Sequence, residues 1–122
     1  MEVIRNNEII DAAALRNAVV TIGNFDGCHL GHQEIFRRTR SHAARIGGVS
    51  VVYTFHPHPA SVLRGVTPQL IFTLEEKIEA IGALGMDYLV IAPFTREFAE
   101  TPPDAFVDGI VMKRLGAKGV VV

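Results

Sequence analysis

The run AVVTI, Ala18 to Ile22, passes straight into GNFDGCHLGH, Gly23 to His32. The first run is short, apolar and β-branched, which is the pattern of a buried strand. The second is a glycine-rich turn that opens into an amphipathic stretch with helical spacing. Strand, tight turn and helix in that order predict a crossover connection to a parallel strand, and so an α/β fold. The same order makes an anion site. Glycines let the backbone approach a phosphate closely, and the first free N–H groups of a helix point at it. His29 and His32 stand three residues apart on one face of the turn, with Gly31 between them, so both imidazoles reach one phosphate chain.

The remainder repeats the alternation. Val3 and Ile4 read as a short leading strand, and Ala12 to Arg16 as a short helix. A helix is expected from about His32 to Ile46, with Ile35, Phe36, Thr39, Ala43 and Ile46 on its apolar side and the pair Gly47 and Gly48 at its end. Val49 to Phe55 is the next strand, broken by His56, Pro57, His58 and Pro59. Thr73 and Glu76 form a capping-box pattern for a helix that stops near Gly85. Tyr88 to Ala92 reads as a strand, Pro103 or Asp104 to Gly116 as a helix, and Lys118 to Val122 as a further core strand. These elements predict a parallel sheet with helices on both faces. Ligands of such sheets bind beyond the C-terminal strand ends, where both GNFDGCHLGH and the His–Pro segment fall.

Composition narrows the function. The 122 residues suit one domain, and a formal net charge of −1 argues against nucleic-acid binding by bulk electrostatics. No apolar run approaches the length of a membrane span. The single cysteine, Cys28, rules out an internal disulfide and fits a cytoplasmic protein. Arg37, Arg38, Arg40 and Arg45 read as a solvated helix face, with His42 exposed beside them. Asp26 is either an Asx-turn residue or has a direct ligand or metal role, and Phe25 either packs or stacks on a ligand. Phe94 and Phe98 read as core in preference to a ligand cover. The histidines also admit a zinc reading, but they lack the Cys or carboxylate partners that zinc sites usually carry.

GNFDGCHLGH resembles the signature of the FMN adenylyltransferase (FAD synthetase) module of bacterial bifunctional riboflavin kinase/FAD synthetases, within the wider HxGH nucleotidyltransferases. TFHPHPA, Thr54 to Ala60, is similar to that family's TFxPHP segment, and weaker echoes run to AKGVVV. The resemblance implies a Rossmann-like nucleotidyltransferase fold. It also implies transfer of AMP from Mg-ATP to FMN, giving FAD and pyrophosphate. It assigns His29 and His32 to the ATP phosphates, as the residues that carry catalysis. Gly23, Asn24, Phe25, Asp26, Gly27 and Gly31 would wrap the nucleotide, and Phe55, Pro57, His58 and Pro59 would line the flavin site. Mg²⁺ would arrive on ATP, with no metal held by the protein. Cys28 stands where the family usually carries an aliphatic residue and reads as a small apolar filler.

The family continues past the last strand seen here with a GxDFxFG-like segment, a Ser/Thr–Arg motif and then the riboflavin kinase domain. The 122 residues therefore read as the N-terminal part of the adenylyltransferase domain, truncated at its C-terminus and without the kinase domain. Weak turnover or none is expected of them alone, with self-association through the strand edge at Val120 to Val122. Two other functions stay open. One is an HxGH adenylyltransferase acting on nicotinate mononucleotide or a pantetheine phosphate. The other is a nucleotide- or flavin-binding fragment without turnover.

Overall fold

A computed structural model describes residues 1–5, 15–25, 30–56, 62–65 and 73–121. Its core is one parallel sheet of five strands: β1 (Glu2–Arg5), β2 (Val19–Ile22), β3 (Ser50–His56), β4 (Tyr88–Pro93) and β5 (Gly119–Val121). The spatial order is β1-β4-β3-β2-β5. β2, β3 and β4 step in one direction across the sheet, and β5 then pairs on the far side of β2, with Val20 opposite Val120. The strand order thus reverses beside β2, and this switch point is where a ligand crevice opens in such sheets.

Strand parity separates two apolar layers. Val20, Val51, Tyr53, Val90 and Ala92 face one side, with Val111, Leu115 and Ala117 packed over them. Val52, Leu89 and Ile91 face the other, under Phe36 and Ile81. Each fully buried Val, Leu or Ile contributes about 1.5–3 kcal/mol, so a one-residue slip that exchanged the faces would remove most of the core. α1 (Leu30–Arg45) and α2 (Leu74–Ala83) cover the second face. They are the crossovers of strands stepping one way. The β4–β5 crossover steps back and lies on the opposite face, as right-handed connections require. It carries α3 (Arg96–Ala99) and α4 (Pro103–Phe106), and α4 runs on into a π-helical segment, Val107–Arg114.

The expected strands, α1 and α2 are present with shifted boundaries, and the expected helix after Pro103 is α4 with the π-helical run. β3 runs through His56, where Phe94 N–H donates to the His56 carbonyl at 3.4 Å. α1 ends as expected: Gly47 takes φ +64°, and a Cβ on Gly48 would lie 1.9 Å from the Asn17 carbonyl oxygen. The capping box forms in full, with Thr73 Oγ1 accepting from Glu76 N at 3.1 Å and Glu76 Oε1 accepting from Thr73 N at 3.2 Å. Of the short helix read over Ala12 to Arg16, residues 12–14 lie outside the described residues, and Leu15 begins a turn.

Three expectations change. β5 is an edge strand, not a core one: it pairs only with β2 among the described residues, and Val120 is 45% exposed. His42 is half-buried, because β5 packs beside α1 and Gly119 leaves room for the ring. Ile46 is exposed, since α1 has already ended at Arg45.

At the N-terminal ends of β3 and β4, Ser50 N and Oγ donate to Asp87 Oδ2 at 2.9 and 3.1 Å, and Asp87 N donates to Ser50 Oγ at 3.0 Å. This closed ring of bonds pins the two strands in register and leaves the C-terminal rim for the site.

Candidate functional site at the strand ends

The β2 exit is held by its neighbour. Gly23 N–H donates to the Tyr53 carbonyl at 3.1 Å, which carries the ladder one residue past the strand. Thr54 Oγ1 donates to the Asn24 carbonyl at 3.2 Å. The chain then turns through Phe25 at φ +51°, a left-handed conformation that a bulky residue rarely takes. Such outliers persist where surrounding packing over-determines them. Here the ring is driven inward, is 5% exposed, and packs on Phe36 at 4.8 Å between ring centroids.

Phe25 is therefore not a stacking platform. The exposed loop position that would have let it stack on a ligand is absent, and the residue is the floor of the turn. Its ring meets His32 edge-to-face at 5.3 Å and 89°, which fixes the imidazole plane in the first turn of α1. Gly23 follows from the same packing, since a Cβ there would lie 2.9 Å from Phe25 Cζ. Gly31 differs. Nothing stands within 4 Å of a Cβ at that position, and its φ is ordinary. Neither packing nor backbone among the described residues calls for glycine there, whereas a ligand lying over the helix start would.

Asn24 is half-buried, and its Oδ1 is fully buried without a hydrogen-bond partner among the described residues. Asp26, Gly27, Cys28 and His29 lie outside the described residues, as do Pro57, His58 and Pro59. Of the twelve residues expected at the site, Gly23, Asn24, Phe25, Gly31, His32 and Phe55 are described, and the first five gather at the β2–α1 connection.

Phe55 belongs to a second feature, beyond the ends of β3 and β4. A cavity of about 390 Å³ is lined by Phe55, Leu63, Phe94, Phe98, Thr101 and Phe106, among others. The rings meet edge-on or tilted: Phe55 to Phe94 at 5.7 Å, Phe55 to Phe98 at 5.3 Å, and Phe98 to Phe106 at 5.4 Å. A small apolar cavity walled by aromatic edges suits a flat conjugated ligand. Phe94 and Phe98 are half-buried and line this cavity, where the sequence reading preferred core.

Leu63 and Phe106 were not foreseen, nor was α3. Thr95 caps α3, its Oγ1 accepting from Phe98 N at 3.0 Å, and this holds Phe98 over the cavity. The available signal was Thr95 three residues before Phe98, with Pro102 and Pro103 just beyond.

No acidic residue lies in the α1 first turn, and its last turn carries His42 and Arg45. Arg37 and Arg38 are exposed and engage Glu34 at 2.6 and 3.2 Å, so their charge is spent on the surface. Among the described residues no three His, Cys, Asp or Glu side chains converge as metal ligands.

A five-stranded parallel sheet flanked by helices, whose switch point carries a strand, a pinned turn and a helix with no acid in its first turn, places the molecule in the Rossmann-like α/β class. Within that class the chain belongs to the FAD synthetase family, whose sequence profile matches residues 11–122. It is 39% identical over 98 residues to the bifunctional riboflavin kinase/FMN adenylyltransferase of Listeria monocytogenes, covering 79% of this chain and 31% of that protein. The protein of the same name from Bacillus subtilis is 40% identical over 97 residues, with 78% and 31% covered. The chain thus spans about a third of the length of these curated relatives. A crystal structure of a Streptococcus pneumoniae protein named a macrolide-efflux protein matches with a TM-score of 0.86 at 28% identity, covering 99% of this chain and 47% of that one. Among the described residues, no helix of the present chain is long and apolar enough to cross a membrane.

Proposed function

We propose that this chain carries the nucleotide- and flavin-binding part of an FMN adenylyltransferase. An FMN phosphate oxygen attacks the α-phosphorus of Mg-ATP. The bond from that phosphorus to the bridging oxygen of the β-phosphate breaks, pyrophosphate leaves, and FAD forms. No covalent enzyme intermediate is needed, so catalysis rests on alignment and charge stabilisation.

The observation that carries this reading is the pairing of an α1 start open, among the described residues, above Gly31 with an aromatic cavity beyond the neighbouring strands β3 and β4 on the same rim. His32, held edge-on by Phe25, and His29 donate to the triphosphate. Gly31 gives the phosphates room. Asn24, Asp26 and Gly27 wrap the nucleotide, while Gly23 and Phe25 support the turn from beneath. Phe55, with Pro57, His58 and Pro59, positions the isoalloxazine ring in the cavity. Mg²⁺ is carried by phosphate oxygens, which suit a hard cation that keeps its waters.

The 122 residues are read as the N-terminal part of the adenylyltransferase domain, and riboflavin kinase activity is not assigned to them. The cytoplasm is the compartment that fits one cysteine and nucleotide substrates. Self-association through the open β5 edge, where Val120 is exposed, completes the reading, and light scattering against concentration tests it.

The central test is ligand binding with and without His32. Mg-ATP measured by calorimetry is expected to bind about 1–3 kcal/mol more weakly to His32→Ala, the size of a charge-assisted hydrogen bond. FMN fluorescence is expected to be quenched equally by both proteins. Unchanged ATP binding in the variant sinks the phosphate assignment. Binding of both ligands without chromatographically detectable FAD leaves a binding fragment.

A further inference from the structure

α1 carries a second concave feature, away from its start. A cavity of about 340 Å³ is lined by Arg37, Arg38, Ser41, His42 and Arg45 of α1 and by Val121 of β5. The five helix residues recur at intervals of three and four, so they form one flank of α1, and the cavity runs between that flank and the edge strand. His42 is the half-buried member of the five. Its ring fits because position 119 of β5 is glycine, where a Cβ would lie 2.9 Å from His42 Cε1. Ser41, in the middle of the strip, is ten residues beyond Gly31, or about 15 Å along the helix axis. The strip is therefore separate from the rim site.

Its charge balance is one-sided. Three guanidinium groups line the cavity, and Glu34 is the one acid on α1. Arg37 and Arg38 share that carboxylate, Arg38 through Nε alone. Among the described residues Arg45 makes no ion pair, and the side chains of Ser41 and His42 make no hydrogen bond. Like charges this close on a helix repel, and an anion held between them removes that cost. The donors select the anion. Guanidinium forks engage phosphate or carboxylate oxygens in pairs, and a hydroxyl and an imidazole N–H add single donors between the forks. A carboxylate has two oxygens to offer such a set. A terminal phosphate has three and carries more charge. The volume lies near the lower end of the range for ligand pockets, which suits a small molecule.

We propose that the strip between α1 and β5 is a second anion site, which takes the phosphate or diphosphate group of a small molecule. It shares no residue with the rim site, so it stands independently of the nucleotide reading.

Inorganic pyrophosphate without magnesium is the probe, followed by NMR on the parent protein. The Arg38 and Arg45 Nε–H resonances and the Val121 amide are expected to shift saturably, and sodium chloride of equal ionic strength is expected not to move them. Arg45→Gln should weaken the response at Val121 about tenfold, the loss of a charge-assisted contact. Arg40 lies on the same helix but outside the cavity, with its guanidinium beside Gly85. Arg40→Gln should leave the affinity within about twofold, since an exposed charge at a distance is screened. His32→Ala should leave it unchanged.

Equal losses in Arg40→Gln and Arg45→Gln overturn the proposal, because they mark diffuse attraction in place of a site. A loss in His32→Ala also overturns it, by joining the strip to the rim site. So does a parent protein in which pyrophosphate moves these resonances no more than chloride does, a result that needs no variant to fold.

Discussion

α1 and α2 both leave the C-terminal rim of the sheet, and they treat their first turns in opposite ways. A helix start carries roughly half a positive charge and backbone N–H groups with no partner inside the helix. α2 meets both demands with its own side chains: Thr73 and Glu76 close a capping box, and Glu75 and Glu76 place carboxylates in the first turn. Glu75 is further engaged by Arg5 at the end of β1, at 3.7 Å. An anion arriving there would meet negative charge and occupied donors. α1 brings no carboxylate to its first turn and sets Gly31 and His32 there, with open space above the glycine. One helix start is closed by its own side chains, and the other is left, among the described residues, without an acid in its first turn, as the proposed anion site requires. The contrast supports the anion site proposed above beyond what the glycine-rich motif carries alone.

Making α1 resemble α2 should produce the largest effect. Gly31→Glu adds a carboxylate to the α1 first turn, where no described residue lies within 4 Å of the added Cβ. A like charge about 5 Å from a phosphate costs about 3 kcal/mol at an effective dielectric near 20, roughly two orders of magnitude in ATP affinity. The fold should be no less stable, since a glycine leaves a helix and an acid joins its N-terminus. Calorimetry beside thermal melting checks both halves. Undiminished ATP binding in a folded Gly31→Glu protein would mean that the two helix starts do not differ in the way described.

The reverse change is smaller and falls on stability. Thr73→Ala opens the capping box of α2, and losing such a cap costs about 1 kcal/mol, or roughly 4 °C in melting temperature for a domain of this size. ATP binding should not move. A drop in affinity would show that α2 contributes to the nucleotide site and would blur the contrast.

The two helix starts also show what a sequence can reveal. The α2 cap was legible because its parts sit at a fixed offset, Thr73 and Glu76, and bond only to each other. The strands were legible for the same local reason, as short β-branched runs. On the α1 side the sequence offers the residue types of the proposed anion site but not their architecture. That Phe25 would fold under the turn, dictate Gly23 and fix His32 depends on a left-handed residue and on Phe36 one turn further along α1. The aromatic cavity was less legible still, because Phe55, Leu63, Phe98 and Phe106 come from separate elements that only the β4–β5 crossover brings together. α3 is four residues long, too short to show a period. The π-helical run was read as an ordinary helix, since eight residues hold too few turns to separate the two windings.

The smallest expected effect concerns Glu34, the acid nearest the α1 start among its helical residues. Its charge would weaken the contrast if it reached the anion site. Arg37 grips both carboxylate oxygens, Nε at 2.8 Å and Nη2 at 2.6 Å, and Arg38 Nε adds a bond at 3.2 Å. These hydrogen bonds hold the carboxyl near pH 2, against a usual value of 4.5. Because the folded value is the lower one, whatever stability the cluster contributes is present above about pH 4.5 and is lost as pH falls toward 2. The groups are exposed, so that contribution is small and screened by salt. Glu34→Gln should therefore melt almost as the parent does at neutral pH and converge with it in strong acid. An NMR titration of the Glu34 carboxyl carbon should give a midpoint near 2 that rises with added salt. ATP affinity in Glu34→Gln should stay within about twofold of the parent, because Arg37 and Arg38 neutralise this carboxylate locally. A marked gain in affinity would place Glu34's charge within reach of the phosphates and make α1 less unlike α2 than its first turn implies.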